Sequence, residues 1–128
     1  MSLEEKIQAA ETRVFKAVFP NTTNHYDTLF GGTAMQMMDE IAFITATRLA
    51  RKPLVTVSSD RIDFRRPIEA GSLIELIGKV VQVGKTSMRV EVEIFVESMY
   101  AEGRELAIHG SFTLVAIDEH KKPVKILD

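Results

Sequence analysis

The chain has 128 residues, of which 45% are hydrophobic and 27% charged, enough for one domain with a sizeable core but not for two. Its 16 basic and 18 acidic residues are spread along the whole length, and the net charge of −2 argues against nucleic acid or a membrane surface as the main partner. The absence of cysteine excludes disulfides and thiolate chemistry, and the three histidines show no metal-ligand spacing, so no metal site is expected.

The N-terminal part of the chain predicts an arm, a strand and a loop. Residues 1–10 are charged and weakly periodic, which indicates a short helix or a frayed arm, and they lack the apolar stretch of a signal peptide. Since no run in the chain approaches membrane-spanning length, we expect a cytoplasmic protein. Residues 12–19 are β-branched and aromatic and favour a strand that Pro20 ends, and a polar loop follows from Asn21 to Phe30.

One long helix is predicted from Thr33 to about Ala50, where the basic residues before Pro53 end it. At about 100° per residue, its apolar side chains fall on one side: Ala34, Met35, Met38, Ile41, Ala42, Ala46 and Leu49. Asp39 lies at the edge of this apolar side, so we expect its carboxylate to be partly desolvated. Met37 and Ile44 lie on the polar half, which indicates that the helix is covered on more than one side.

The remaining sequence predicts strands. Residues 87–97 alternate strictly between apolar and polar side chains, which is typical of an antiparallel strand with one solvent-facing side. Residues 72–83 and 105–117 are more apolar and suit central strands, and residues 101–104 suit a hairpin loop. One early helix followed by a run of strands indicates the α+β class.

The segment from Asn24 to Asp39 concentrates the residues that could carry chemistry. A helix that begins at the pair Gly31-Gly32 leaves backbone N–H groups free at the positive end of the helix dipole, where they can hold a phosphate or an acyl-transfer oxyanion. A carboxylate two turns further on can act as a general base. On the residues alone, a surface ion pair or a solvated contact is the commoner role for a lone aspartate such as Asp39, and Asn24 is explained by plain turn chemistry. Tight packing of the turn at the glycines is compatible with a role in binding.

This segment resembles the acyl-CoA hydrolases of the hotdog fold, in the thioesterase superfamily. Residues 55–67, 83–87 and 110–118 resemble the later strands of that family, in the family's order, and the match is continuous from about residue 12 to residue 118. The resemblance implies an α+β hotdog fold, in which an antiparallel sheet of about five strands wraps around one long central helix. It also implies a single hotdog thioesterase domain over residues 1–128, with residues 1–10 as an N-terminal arm and residues 119–128 as a C-terminal tail.

The activity implied by the resemblance is hydrolysis of the thioester of fatty acyl-CoA to free fatty acid and CoA. No cofactor is expected, because CoA is part of the substrate. Asp39 would activate the water, Asn24 would orient the water or the carbonyl, and the backbone N–H of Gly31 or Gly32 would hold the oxyanion. A covalent acyl-Asp39 intermediate is an open alternative to direct water attack.

The same resemblance implies a homo-oligomer. Asn24 and Asp39 would come from different subunits, so a homodimer would be the minimum active unit, and a hexamer built as a trimer of dimers is a further expectation. A symmetric dimer would also cover the open edges of a small sheet.

Candidates for binding the CoA phosphates are the adjacent arginines Arg65 and Arg66 and the turn Gly84-Lys85-Thr86-Ser87. Because neighbouring residues of a strand point to opposite faces, at most one of the two arginines is expected to reach a given phosphate. A solvated edge and a plain hairpin turn are the alternatives. The turn lacks the glycine-rich approach of a P-loop, so nucleotide hydrolysis is not supported.

Three charged residues, Asp60, Arg61 and Asp63, interrupt an otherwise apolar strand, and we interpret them as a salt-bridge cluster at an interface.

Two other functions stay open from the sequence. A hotdog dehydratase acting on hydroxyacyl thioesters would need a histidine near the start of the helix, and His25 is the only nearby candidate. A non-catalytic acyl-CoA-binding regulatory module would bind the same ligand without hydrolysis. The presence of both Asn24 and Asp39 favours turnover.

Overall fold

The computed structural model describes all 128 residues. Its helices are α1 (Leu3–Ala10), a 3-10 turn at Pro20–Thr22, and α2 (Gly31–Ala50). Its strands are β1 (Thr12–Ala17), β2 (Leu54–Phe64), β3 (Ser72–Val83), β4 (Ser87–Ser98) and β5 (Arg104–Ala116). Neither α-helix combines the length and the apolar character that crossing a membrane would require.

The five strands form one antiparallel sheet in the order β1-β3-β4-β5-β2. The apolar segments that were predicted as central strands, β3 and β5, do flank the middle strand β4. Because β4 alternates as predicted, Met88, Val90, Val92 and Ile94 all point into the core and are fully or nearly fully buried.

Helix α2 lies across the concave face of this sheet, with Met38, Ile41, Ala42 and Ala46 buried against it. The close approach depends on Gly78 in β3, since a Cβ atom there would stand 2.8 Å from the Ile41 methyl group and against the Thr45 hydroxyl. The helix begins at Gly31, two residues before the predicted start.

The buried face of α2 differs from the prediction at two positions: one residue expected to be buried is exposed, and one polar residue is buried. Met35 was expected in the core and is 41% exposed, whereas Thr45 is fully buried. The Thr45 hydroxyl donates to the carbonyl of Ile41 at 2.8 Å, which removes the cost of burying it. Met35 lines an open cleft between α2 and β2, so it stays accessible to solvent.

Both terminal segments pack against this framework. Helix α1 begins with a capping box between Ser2 and Glu5, and the Ser2 backbone N–H, which donates to the Glu5 carboxylate, lowers the pKa of Glu5. The Arg48 guanidinium of α2 donates to the carbonyls of Ala9 at 2.7 Å and Glu11 at 2.9 Å, and so fastens α1 to α2. In residues 119–128, Ile126 is buried and donates its N–H to Lys85 at 2.8 Å.

The β2 edge of the sheet is open and apolar. On β2, Val55, Val57 and Phe64 are exposed, and next to them on α2 Met35 and Phe43 are exposed as well. Met37 and Ile44, which were predicted to need a cover, are half-buried within the chain. An unpaired strand edge beside exposed apolar side chains is a surface that pairs readily with another strand.

Candidate active site

Asp39 is held by a strand residue on the facing side of a cleft. The Thr56 hydroxyl of β2 donates to Asp39 Oδ1 at 2.8 Å. The two residues share an open cleft of about 580 Å³ between α2 and β2, which we call the Asp39 cleft. Its other lining residues are Gly32, Met35, Gln36, Val57, Ser58, Ser59 and Phe112.

The expected desolvation of Asp39 is wrong for the single chain, because its side chain is exposed. The helix face that carries it looks towards the open β2 edge and away from the core. Thr56 had no place among the predicted site residues. In the sequence, Thr56 is distinguished only as a hydroxyl residue between the apolar residues Val55 and Val57. Its side chain can be placed in the cleft only when the register of β2 is known.

The start of α2 offers unpaired backbone donors. Phe30 is the N-cap residue and makes no side-chain capping bond, and the first N–H that turns back into the helix is that of Ala34, to Phe30 at 3.0 Å. The N–H groups of Gly31 and Gly32 therefore have no partner within the chain, as expected for a first helical turn. A side chain at Gly32 would crowd the Phe30 ring, since its Cβ would lie 3.1 Å from that ring.

Asn24 sits in the loop that leads into this helix start, residues 23–30, which we call the Asn24 loop. Its Oδ1 accepts hydrogen bonds from the Tyr26 N–H at 2.9 Å, the Thr28 N–H at 3.2 Å and the Thr28 hydroxyl at 3.1 Å. Asn24 is absent from the lining of the Asp39 cleft. One chain therefore places Asp39, Thr56 and Gly32 around one cleft and Asn24 outside it.

Arg65 and Arg66 lie beyond the end of β2, so the prediction that they alternate across a strand is wrong. Their main-chain N–H groups both donate to the carbonyl of Ala107, at 2.8 and 3.2 Å, which folds the two residues into a kink. The Arg66 side chain pairs with Glu105 at 3.1 Å, whereas Arg65 makes no ion pair within the chain.

Both arginines line a pocket of about 280 Å³ together with Phe64. The Phe64 ring lies 3.8 Å from the position of a Cβ on Gly31, so this pocket is next to the start of α2.

The turn Gly84–Ser87 lies at the other end of the sheet. Ser87 is aligned with Val115 and, through it, with Val55 at the start of β2, whereas Arg65 follows the end of β2. Since β2 has 11 residues, these two ends are about 30 Å apart, and one chain does not bring the two sets of phosphate candidates together. Two main-chain hydrogen bonds hold the turn: Gly84 donates to Ser87 at 2.8 Å, and the Thr86 carbonyl accepts from Ala116 at 3.0 Å.

The remaining charged candidates stay apart from Asp39. Asp60, Arg61 and Asp63 are exposed and form no ion pair within the chain, so their proposed role at an interface stays a prediction. The His25 ring is exposed and contacts the Tyr26 ring, with centroids 3.9 Å apart and planes tilted by 40°. His25 lies in the loop that leads to the start of α2, and no histidine lines the Asp39 cleft.

Comparison with known proteins finds chains similar to this one. The family model of the thioesterase superfamily matches residues 26–102. YkhA of Bacillus subtilis, an uncharacterized acyl-CoA thioester hydrolase, is 42% identical over 118 residues, which are 91% of this chain and 69% of that protein.

Solved structures of similar proteins share the architecture. An acyl-CoA hydrolase from Staphylococcus aureus in complex with butyryl coenzyme A and coenzyme A is 37% identical, with a TM-score of 0.88 over 93% of this chain and 73% of that chain. An apo-hexameric acyl-CoA thioesterase is 36% identical, with a TM-score of 0.90 over 93% and 76% of the two chains. Three single variants of the S. aureus enzyme have also been solved, in which alanine replaces an asparagine, an aspartate or a threonine.

Proposed function

This chain belongs to the thioesterase superfamily, and we infer from that membership that it is an acyl-CoA thioester hydrolase with the hotdog fold. The predicted fold and activity are both confirmed, the fold by the antiparallel sheet around α2 and the activity by the acyl-CoA hydrolases among the relatives. The observation that carries the proposed site is the hydrogen bond from Thr56 to Asp39 in an open cleft.

Asp39 is the proposed general base. Thr56 occupies Oδ1 and fixes the carboxylate plane, which leaves Oδ2 to take a proton from water. The water oxygen bonds to the thioester carbon while the carbonyl π electrons move to the oxygen. When the oxyanion collapses, the carbon–sulfur bond breaks, and the CoA sulfur takes the proton back from Asp39. The products are the carboxylic acid and CoA, and the mechanism needs no cofactor.

The three residues replaced by alanine in the S. aureus hydrolase support this assignment. Those residues are an asparagine, an aspartate and a threonine, and they follow one another at the same intervals as Asn24, Asp39 and Thr56. Thr56 therefore joins the site as a residue that orients the base.

The spacing of Gly32 and Asp39 along α2 supports two subunits in the proposed site. Gly32 and Asp39 lie about 10 Å apart along the axis of α2, because each helical residue rises about 1.5 Å. An oxyanion donor and a base must both come within about 3 Å of groups in the same tetrahedral intermediate. We therefore assign Asp39 and Thr56 from one subunit, and Asn24 with the Gly31-Gly32 helix start from the other.

The open β2 edge is the proposed dimer surface. The exposed side chains of Val57 and Met35 line the Asp39 cleft beside the unpaired backbone of this edge, so a second subunit placed there would also desolvate the base. A hexamer, as a trimer of such dimers, is proposed because the similar thioesterase is hexameric.

Arg65, unpaired and next to the helix start, is the proposed contact for a CoA phosphate, while Arg66 is engaged by Glu105.

Release of free thiol from a panel of acyl-CoAs, from short to long chains, tests the function. We expect turnover that depends on chain length, with the protein eluting as a dimer or a larger assembly. Binding of acyl-CoA without thiol release would contradict the hydrolase and favour the regulatory module.

A further inference from the structure

We propose that Thr28 is a positioning residue for thioester hydrolysis, because it locks the Asn24 carboxamide with its oxygen turned into the loop and its NH₂ group towards the substrate. The inference rests on the proposed function and concerns how the Asn24 side of the site works. It starts from the three hydrogen bonds that converge on one atom, Asn24 Oδ1.

The orientation of the carboxamide follows from the chemistry of its partners. Two of the three partners are the main-chain N–H groups of Tyr26 and Thr28, at 2.9 and 3.2 Å, and a main-chain N–H is only a donor. The atom that they face must therefore be the oxygen, which settles the usual ambiguity between the two ends of an asparagine side chain. The Thr28 hydroxyl, at 3.1 Å, adds the third donor.

The loop holds Thr28 in place from both sides. Its carbonyl accepts the N–H of Asn24 at 2.8 Å, and its backbone forms an antiparallel bridge with Glu69. The intervening Asp27 has a left-handed φ of 60° and donates its N–H to the Asn24 carbonyl at 3.0 Å. Leu29, the next residue, donates to Ile68 at 2.6 Å. Asn24 and Thr28 are therefore joined by both main-chain and side-chain hydrogen bonds, and these bonds form without substrate.

A carboxamide fixed in this way offers the site only donors. Oδ1 is saturated, and Nδ2 makes no hydrogen bond within the chain. A donor to the attacking water would withdraw electron density from the oxygen that must attack and so lower its nucleophilicity. On the carbonyl oxygen, the same donor stabilises the negative charge that develops there. Asn24 accordingly acts on the carbonyl, as the free N–H groups of Gly31 and Gly32 do, and Thr28 sets the direction of its NH₂ group.

Three substitutions separate this role from support of the fold. Thr28→Val keeps the shape and the main-chain N–H but removes the hydroxyl. We expect it to lower kcat about 5- to 10-fold with KM within about 2-fold of wild type. Thr28→Ser restores the donor and should recover most of kcat. Thr23→Val is the matched control, because the Thr23 hydroxyl donates to Pro20 at 2.7 Å in the same loop and does not contact Asn24; its kcat should equal that of wild type.

Asn24→Asp tests the donor itself. The carboxylate still accepts the three loop hydrogen bonds, so Tm should be preserved, but the NH₂ group is lost and kcat should fall about 10²- to 10³-fold. An unchanged kcat in Thr28→Val or in Asn24→Asp would overturn the inference. The inference would also be overturned if Thr28→Ser lost as much kcat and Tm as Thr28→Val. If wild type releases no thiol from any acyl-CoA, the proposed function itself fails, whereas an active wild type with an active Thr28→Val removes only the role of Thr28.

Discussion

The Asn24 loop and the Asp39 cleft differ in the hydrogen-bonding groups that they leave free for a ligand. In the loop, the side-chain oxygen of Asn24 is saturated, and its NH₂ group remains as a donor for a ligand. The helix start that follows adds the N–H donors of Gly31 and Gly32. In the cleft, Thr56 supplies one donor to Asp39, and what remains is a carboxylate acceptor. Hydrolysis of a thioester needs donors for the carbonyl oxygen and an acceptor for the proton of water. Each region supplies one half of that requirement, and the donors at Gly32 lie about 10 Å from Asp39 along the axis of α2.

The largest expected effect comes from removing the acceptor. Asp39→Asn keeps an oxygen for the Thr56 hydroxyl but cannot take a proton at neutral pH. We expect kcat to fall about 10²- to 10⁴-fold, with Tm and oligomeric state unchanged, because general-base catalysis contributes about that much. Thiol release from a good acyl-CoA substrate, measured beside thermal melting, checks this. A kcat within 2-fold of wild type would remove Asp39 from the mechanism.

Mixing two inactive proteins tests whether the donors and the acceptor meet across a subunit boundary. Asp39→Ala and Asn24→Ala each lose one half of every site, but a mixed dimer rebuilds one complete site from its two intact halves. After co-expression or co-refolding, random pairing in a two-fold dimer should restore about a quarter of wild-type activity. Simple mixing of assembled proteins without subunit exchange provides the control. No recovery in a mixture that is shown to contain mixed dimers would place both halves in one chain.

The architecture could be predicted from the sequence more fully than the site. The ends of β3 were predicted correctly because Gly71 and Gly84 bracket an apolar run of strand formers. The start of α2 was placed two residues late, because Gly31 and Gly32 are poor helix formers that the fold nevertheless places in its first turn.

Thr56 was missed for a different reason. Its direction depends on the register of β2, and the pairing of β2 with β5 shifts between Thr56 and Ser58 and again between Asp60 and Asp63. Such bulges are set by tertiary pairing and leave no local signature in an exposed strand. The exposure of Asp39 has a similar origin, since a helix periodicity gives the direction of a side chain but not whether a neighbouring element covers it.

Thr56 provides a smaller and sharper test of the acceptor region. Thr56→Val removes the hydroxyl and leaves Oδ1 of Asp39 without its donor, so the carboxylate is less well oriented. We expect a loss in kcat of about 10-fold, because a hydrogen bond to a charged group contributes about 1.5 kcal/mol. Thr56→Ser should retain most of the activity. Equal activity of the Val and Ser variants would mean that the 2.8 Å contact has no part in catalysis.

The smallest expected effect distinguishes two adjacent arginines at the donor end of the site. Arg65 makes no ion pair within the chain and lines the pocket beside the start of α2, whereas Arg66 is paired with Glu105 at 3.1 Å. If Arg65 contacts a CoA phosphate, Arg65→Ala should raise KM about 2- to 5-fold with kcat unchanged, as for an exposed charge pair. The rise should shrink as salt is added, because exposed charges are screened. Arg66→Ala is the matched control and should change KM less. An equal or larger effect of Arg66→Ala would contradict the assignment and imply that CoA displaces Glu105 from Arg66. In that case Glu105→Gln, which weakens the ion pair, should lower KM.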